Sequence, residues 1–206
     1  MSFIIWAYGV AALYVNVGTA AAAEPVRILA FGASLTSGYG LDEKDGLPAQ
    51  LEAALRATGL DVRVINGGVA GETSSGVRAR LDWALADDPR LVIVDLGGND
   101  MLRAIDPAVT EANLDAVVAR LRQQNRAVLI AGMRASPTLG ADYAAAFDRI
   151  FPAVAERHGV PLYPFLLDGV AGHPELNQDD GIHPNEAGVK VMVERLLPYV
   201  LQALGQ

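Results

Sequence analysis

Five short aliphatic runs, at residues 26–31, 62–65, 91–96, 127–131 and 160–163, alternate with longer stretches whose apolar residues recur three and four positions apart. Short apolar runs without polar alternation belong to strands buried on both faces, and a period near 3.6 belongs to the helices that cover them. The helical stretches are 48–60, 77–86, 107–123, 143–158 and 186–204. Each run is followed by enough chain for a crossover helix, so the pattern predicts an α/β domain built on parallel strands. No repeat, low-complexity linker or shift in composition marks a second domain, and one domain over residues 24–206 is expected. With 51% hydrophobic and 19% charged residues, the chain has the apolar material for one sizeable core.

Residues 1–23 carry no charged side chain and run from an apolar stretch, 3–17, into the small-residue tract Thr19-Ala20-Ala21-Ala22-Ala23. This pattern predicts a secretory signal peptide cut near Ala23, an exported (periplasmic or secreted) product and no stable membrane anchor after cleavage. The usual Lys or Arg ahead of the apolar core is missing, and 23 uncharged residues are long enough to span a bilayer, so an uncleaved anchor is the alternative. Sixteen Lys and Arg stand against 24 Asp and Glu, a formal charge of −8 with no basic run, which argues against a nucleic-acid partner. There is no cysteine, so disulfides, thiolate metal sites and cysteine nucleophiles are all excluded.

In open parallel sheets ligands bind beyond the carboxyl ends of the strands. Three strand-end loops are unusual here: Gly32-Ala33-Ser34-Leu35-Thr36, the stretch from Asn66 through Gly71 to Thr73, and Gly97-Gly98-Asn99-Asp100. Ser34 is either a turn or cap serine or a nucleophile, and a nucleophilic hydroxyl needs a base and an acid to orient that base. Of three histidines, His183 lies just before the last helical stretch with Asp180 three residues ahead across Gly181. Asp179 competes with Asp180 for the acid's place. His158, at a helix end before Gly159, and His173, with no acid at comparable spacing, suit structural roles better. Acyl transfer further needs donors for an oxyanion, and the amide of Gly71 and carboxamide of Asn99 are candidates, although Gly and Asn are also ordinary turn residues. The longest irregular stretch, 166–185, contains Asp180 and His183.

The ordered set Ser34, Gly71, Asn99 and His183 resembles the four signature blocks of the SGNH, or GDSL-type, serine hydrolases, from Val26 to the C-terminus. Gly32-Ala33-Ser34-Leu35 stands for the family's Gly-Asp-Ser-Leu, Gly97-Gly98-Asn99-Asp100 for Gly-x-Asn-Asp, and Asp180-Gly181-Ile182-His183 for Asp-x-x-His. Ala33 departs from the pattern, where Asp would order neighbouring loops. The resemblance implies a flavodoxin-like three-layer α/β/α fold with a five-stranded parallel sheet and a Ser34, Asp180, His183 triad. It also implies an oxyanion hole of the Ser34 amide, the Gly71 amide and the Asn99 side chain, with neither cofactor nor metal. Met101, Leu102, Ile105, Met133 and Pro137 are placed around the nucleophile, where they form either an apolar substrate groove or plain core. Gly132-Met133-Arg134-Ala135-Ser136-Pro137 is similar to the bacterial subgroup with arylesterase, thioesterase and lysophospholipase activities, so the expected partner is a small ester or lipid substrate. The alternatives are a carbohydrate O-acetyl esterase, disfavoured by the 6% aromatic content, and a non-catalytic flavodoxin-like binding domain.

Overall fold

The computed structural model describes residues 24–206, and the expected signal peptide, 1–23, lies outside the described residues. Five strands, β1 (Val26–Gly32), β2 (Val62–Gly68), β3 (Leu91–Val94), β4 (Ala127–Ala131) and β5 (Leu162–Tyr163), form one parallel sheet in the order β2-β1-β3-β4-β5. The helices are α1 (Ser34–Ser37), α2 (Leu47–Ala57), α3 (Ser74–Ala79), α4 (Leu81–Ala84), α5 (Gly98–Leu102), α6 (Pro107–Gln123), α7 (Ala141–Asp148), α8 (Ile150–His158) and α9 (Glu186–Leu204). Helix α2 packs against α9 on one face, while α3, α6 and α8 pack together on the other, giving the expected three layers.

All of β3 and most of β1 and β4 are buried, as the unbroken aliphatic runs require. Ile28, Phe31, Leu91, Val92, Leu129 and Ile130 lose essentially all contact with water, each contributing about 1.5–3 kcal/mol of transfer free energy at most. Helix α6 begins with Pro107 at its first position, and the Asp106 side chain accepts the Ala108 amide at 2.9 Å. Helix α9 is capped by Asn185, which accepts the Gly188 amide at 3.0 Å. Among the described residues no helix is long and apolar enough to cross a membrane.

Some boundaries differ from the periodicity. The stretch 143–158 forms two helices, α7 and α8, because the ring of Pro152 excludes the carbonyl of Asp148 and forces a break at Arg149. The stretch 77–86 divides at Arg80, whose guanidinium turns inward to donate to the Gly32 carbonyl at 2.7 Å and to Glu72 at 2.6 Å. Strand β2 continues through Asn66, Gly67 and Gly68, expected as loop, because Gly32 and Gly68 are still paired across the ladder. Residues 160 and 161 fall outside β5, where Pro161 has no amide to give.

Candidate active site

Ser34 is the first residue of α1, immediately beyond β1, and the 166–185 loop brings His183 over it. The Ser34 hydroxyl lies 2.9 Å from His183 Nε2, and His183 Nδ1 lies 2.6 Å from Asp180 Oδ2. With the proton on Nδ1, the tautomer a carboxylate partner selects, Nε2 is free to accept from Ser34. The other oxygen of Asp180 accepts the amides of Ile182 and His183, both at 2.9 Å, so one carboxylate orders the loop and orients the ring. Those bonds, the one from the His183 side chain foremost, hold the Asp180 carboxyl down to about 2. The Tyr39 ring rests against the imidazole with centroids 4.7 Å apart. The Gln178 amide reaches the Tyr39 carbonyl at 2.8 Å, tying the loop to the segment after α1. Asp180, not Asp179, faces the ring.

Asn99 enters from the third strand end. Gly97 has φ +99°, a left-handed value that lets the chain leave β3 and start α5 at once, with Asn99 in its first turn. One Asn99 N–H donates to the Glu72 carbonyl at 2.9 Å, and a carboxamide retains a second. Gly71 has φ +82°, and its carbonyl accepts from Arg103 at 2.9 Å. It adjoins Glu72 in the loop that Asn99 grips, yet does not line the cavity beside Ser34. Asp100, fully buried, accepts the Ser74 amide at 2.7 Å, the Ser74 hydroxyl at 2.5 Å and the Thr110 hydroxyl at 3.2 Å, clamping the second and third loops together.

A cavity of about 70 Å³ opens beside these groups, bounded by Ser34, Asn99 and His183 and walled by Leu96, Met101, Leu102, Met133, Leu167 and Ile182. Met101 and Met133 thus stand where a substrate groove was expected. Ile105 and Pro137 do not line it: the Ile105 carbonyl accepts from Tyr143, and Pro137 starts an exposed 3-10 turn. Leu167 and Ile182 lie in the irregular loop, where no periodicity marks which side chain turns inward. Asp95, another wall residue, was also missed. Its signal was an acid set in the otherwise apolar run 91–96. Burial pushes its carboxyl up to about 6, against the lowering effect of the hydrogen bond from the Thr36 hydroxyl.

The other histidines lie apart from the serine. His158 Nε2 is 2.9 Å from Asp115 beside Arg157, and His173, which does have an acid close by, is exposed with Nδ1 3.3 Å from Glu175. Among the described residues no group of three His, Asp or Glu side chains is arranged to hold a metal ion.

This geometry can take a proton from a serine hydroxyl, return it to a leaving group and donate to a carbonyl oxygen. The model of the GDSL-like lipase/acylhydrolase family matches residues 30–191. An esterase TesA of Pseudomonas aeruginosa is 39% identical over 83% of this chain and 86% of its own length. An arylesterase of Vibrio mimicus is 36% identical over 81% of this chain and 84% of its own. The crystal structure of AlinE4, an SGNH-hydrolase family esterase, is 43% identical, covers 89% of this chain and 99% of its own, and superposes with a TM-score of 0.75. The chain belongs to the GDSL-like lipase/acylhydrolase family, and it is a carboxylic ester hydrolase.

Proposed function

We propose that Ser34 is the nucleophile, His183 the general base and acid, and Asp180 the group that orients His183, acting on aryl and short-to-medium acyl esters. The observation that carries this reading is the unbroken chain from Ser34 Oγ to His183 Nε2, at 2.9 Å, and from His183 Nδ1 to Asp180 Oδ2, at 2.6 Å. His183 removes the hydroxyl proton as Ser34 attacks the ester carbonyl. The tetrahedral oxyanion is held by the Ser34 and Gly71 amides and the free N–H of Asn99. Collapse expels the alcohol with the proton from His183 and leaves an acyl group on Ser34. Water, deprotonated by the same ring, then releases the acid.

The acyl group belongs in the apolar cavity, which at about 70 Å³ holds only a few carbon-sized groups, since about 10–15 Å³ of such space takes one water. Thioesters and lysophospholipids share the acyl carbonyl and can enter only with the rest of the chain outside. Hydrolysis of p-nitrophenyl esters from acetate to palmitate, by the protein and by Ser34→Ala, tests this. Release that depends on Ser34 and peaks at acyl chains of about four to six carbons is expected; release that survives Ser34→Ala overturns the nucleophile, and a maximum at palmitate overturns the cavity as the acyl site.

The mature protein is exported after cleavage near Ala23, a reading supported by the uncharged segment 1–23 ending in small residues just ahead of β1. Mass spectrometry of the protein purified from a bacterial host is expected to give a chain beginning near Glu24; an intact N-terminus in the membrane fraction would overturn export by cleavage.

A further inference from the structure

Among the residues that line the cavity, the triad leaves one buried ionisable group unused, the carboxyl of Asp95. It is 5% exposed, follows β3 directly and donates its own amide to the Phe31 carbonyl of β1 at 2.8 Å. Among the described residues it has no ion pair, so its burial carries a desolvation cost that no opposite charge offsets. Its side-chain partner is Thr36, 1% exposed and the only buried residue of α1, whose hydroxyl donates to Asp95 Oδ2 at 2.8 Å.

Thr36 is significant because of its place in the turn. With Ala33 at the N-cap and Ser34 first in α1, Thr36 occupies the third helical position, whose amide a capping side chain ordinarily takes. Alanine has no acceptor, and no side chain caps α1 from within. What anchors the turn is the bond from the Thr36 hydroxyl to the carboxylate just beyond β3. The fit there is tight: a Cβ on Gly32 would collide with the Asp95 carbonyl and the Thr36 hydroxyl and lie 2.8 Å from Asp95 Oδ2. The end of β1, the carboxylate and the hydroxyl are thus locked together two residues before the nucleophile.

We propose that Asp95, acting through Thr36, is a positioning residue for Ser34: it anchors the nucleophile's turn from the end of β3, where residue 33 offers no side-chain cap, and fixes the serine hydroxyl in reach of His183. The proposal rests on the reading of Ser34 as nucleophile. Chemistry does not pass through Asp95; its effect is on where Ser34 Oγ sits, and a displacement of about 1 Å costs on the order of 100-fold in turnover.

The experiment compares Thr36→Val and Thr36→Ser with the wild-type protein by kcat and KM on p-nitrophenyl butyrate, by the rate of Ser34 labelling with a fluorophosphonate and by Tm. Thr36→Val, which keeps the shape and removes the hydroxyl, is expected to lower kcat by roughly 10- to 100-fold with KM nearly unchanged, and to slow labelling equally. Thr36→Ser is expected to restore most of both rates. A folded Thr36→Val enzyme with wild-type kcat, or a loss that Thr36→Ser does not repair, overturns the proposal. Should Thr36→Val not fold, Asp95→Asn keeps the outline and removes the charge. It is expected to lose roughly tenfold in kcat without losing Tm at neutral pH, and an unchanged kcat there overturns the proposal. Failure of the underlying reading looks different, because Ser34→Ala would then remain active.

Discussion

Asp180 joins two tasks in one carboxylate, receiving the imidazole N–H on one oxygen and two loop amides on the other. Replacing it with Ala is therefore expected to lower kcat by roughly 10,000-fold, and by more than a residue that only oriented the ring, because the loop slackens as well. Ser34→Ala is expected to abolish turnover while the protein keeps its Tm. Asn99→Ala, which deletes one proposed oxyanion donor and the bond to the Glu72 carbonyl, is expected to lower kcat by roughly 100- to 1,000-fold. The Asp180 carboxyl is held at about 2, below its ordinary value of 3.8. The stability it gives is present above pH 3.8 and lost as pH falls through about 2, so no loss of activity between pH 4 and 8 is expected from its protonation. Ser34 and Asn99 were legible because each is a chemically distinctive residue in a glycine-containing loop at a strand end, and Asp180 and His183 because an acid three residues ahead of a histidine can turn back to its ring. Asp95 and Thr36 were not, because nothing local says that a threonine two positions after the serine and an acid 59 residues later share a bond.

Among the elements without a residue in the cavity wall, α9 bears on the site through its cap, which also braces the loop that carries His183. Asn185 accepts the Gly188 amide and donates to the carbonyls of Glu175, at 2.9 Å, and Asn177, at 3.2 Å. Asn185→Ala is expected to cost about 1–2 kcal/mol by thermal or urea unfolding, and to lower kcat as well. Asp106→Ala, at the start of α6 and outside the cavity, is expected to cost about 1 kcal/mol with kcat unchanged, which separates capping from catalysis. The boundaries of α6 and α9 were readable because proline, asparagine and the apolar period agree on them. Helix α3 starts earlier than its periodicity suggests, at Ser74, since the acceptor for its first amide is Asp100 from another loop. The break before α8 was readable in principle from Pro152, and the break at Arg80 was not, because it depends on a guanidinium finding the Gly32 carbonyl.

For the molecule as a whole, the architecture was the most legible level. A buried parallel sheet leaves its strands no polar face, so five aliphatic runs and their spacing were enough for an α/β domain. The strand order β2-β1-β3-β4-β5 depends on packing that no single run encodes. Burial raises the Asp95 carboxyl from 3.8 to about 6, so the folded protein holds that proton more tightly than the unfolded chain. The associated stability is complete below pH 3.8 and lost as pH rises through about 6, at most about 3 kcal/mol. Unfolding followed from pH 4 to pH 8 is expected to move in favour of Asp95→Asn over the wild type across that window, and parallel curves would refute it. A last consequence follows from the 149 residues that separate Ser34 from His183 along the chain. On the proposed mechanism a ribosome makes the nucleophile 149 residues before its base, so a growing polypeptide has no means to hydrolyse esters until His183 has been synthesised. A protease trimming inward from the carboxyl end reverses the order, silencing the enzyme long before it reaches the serine.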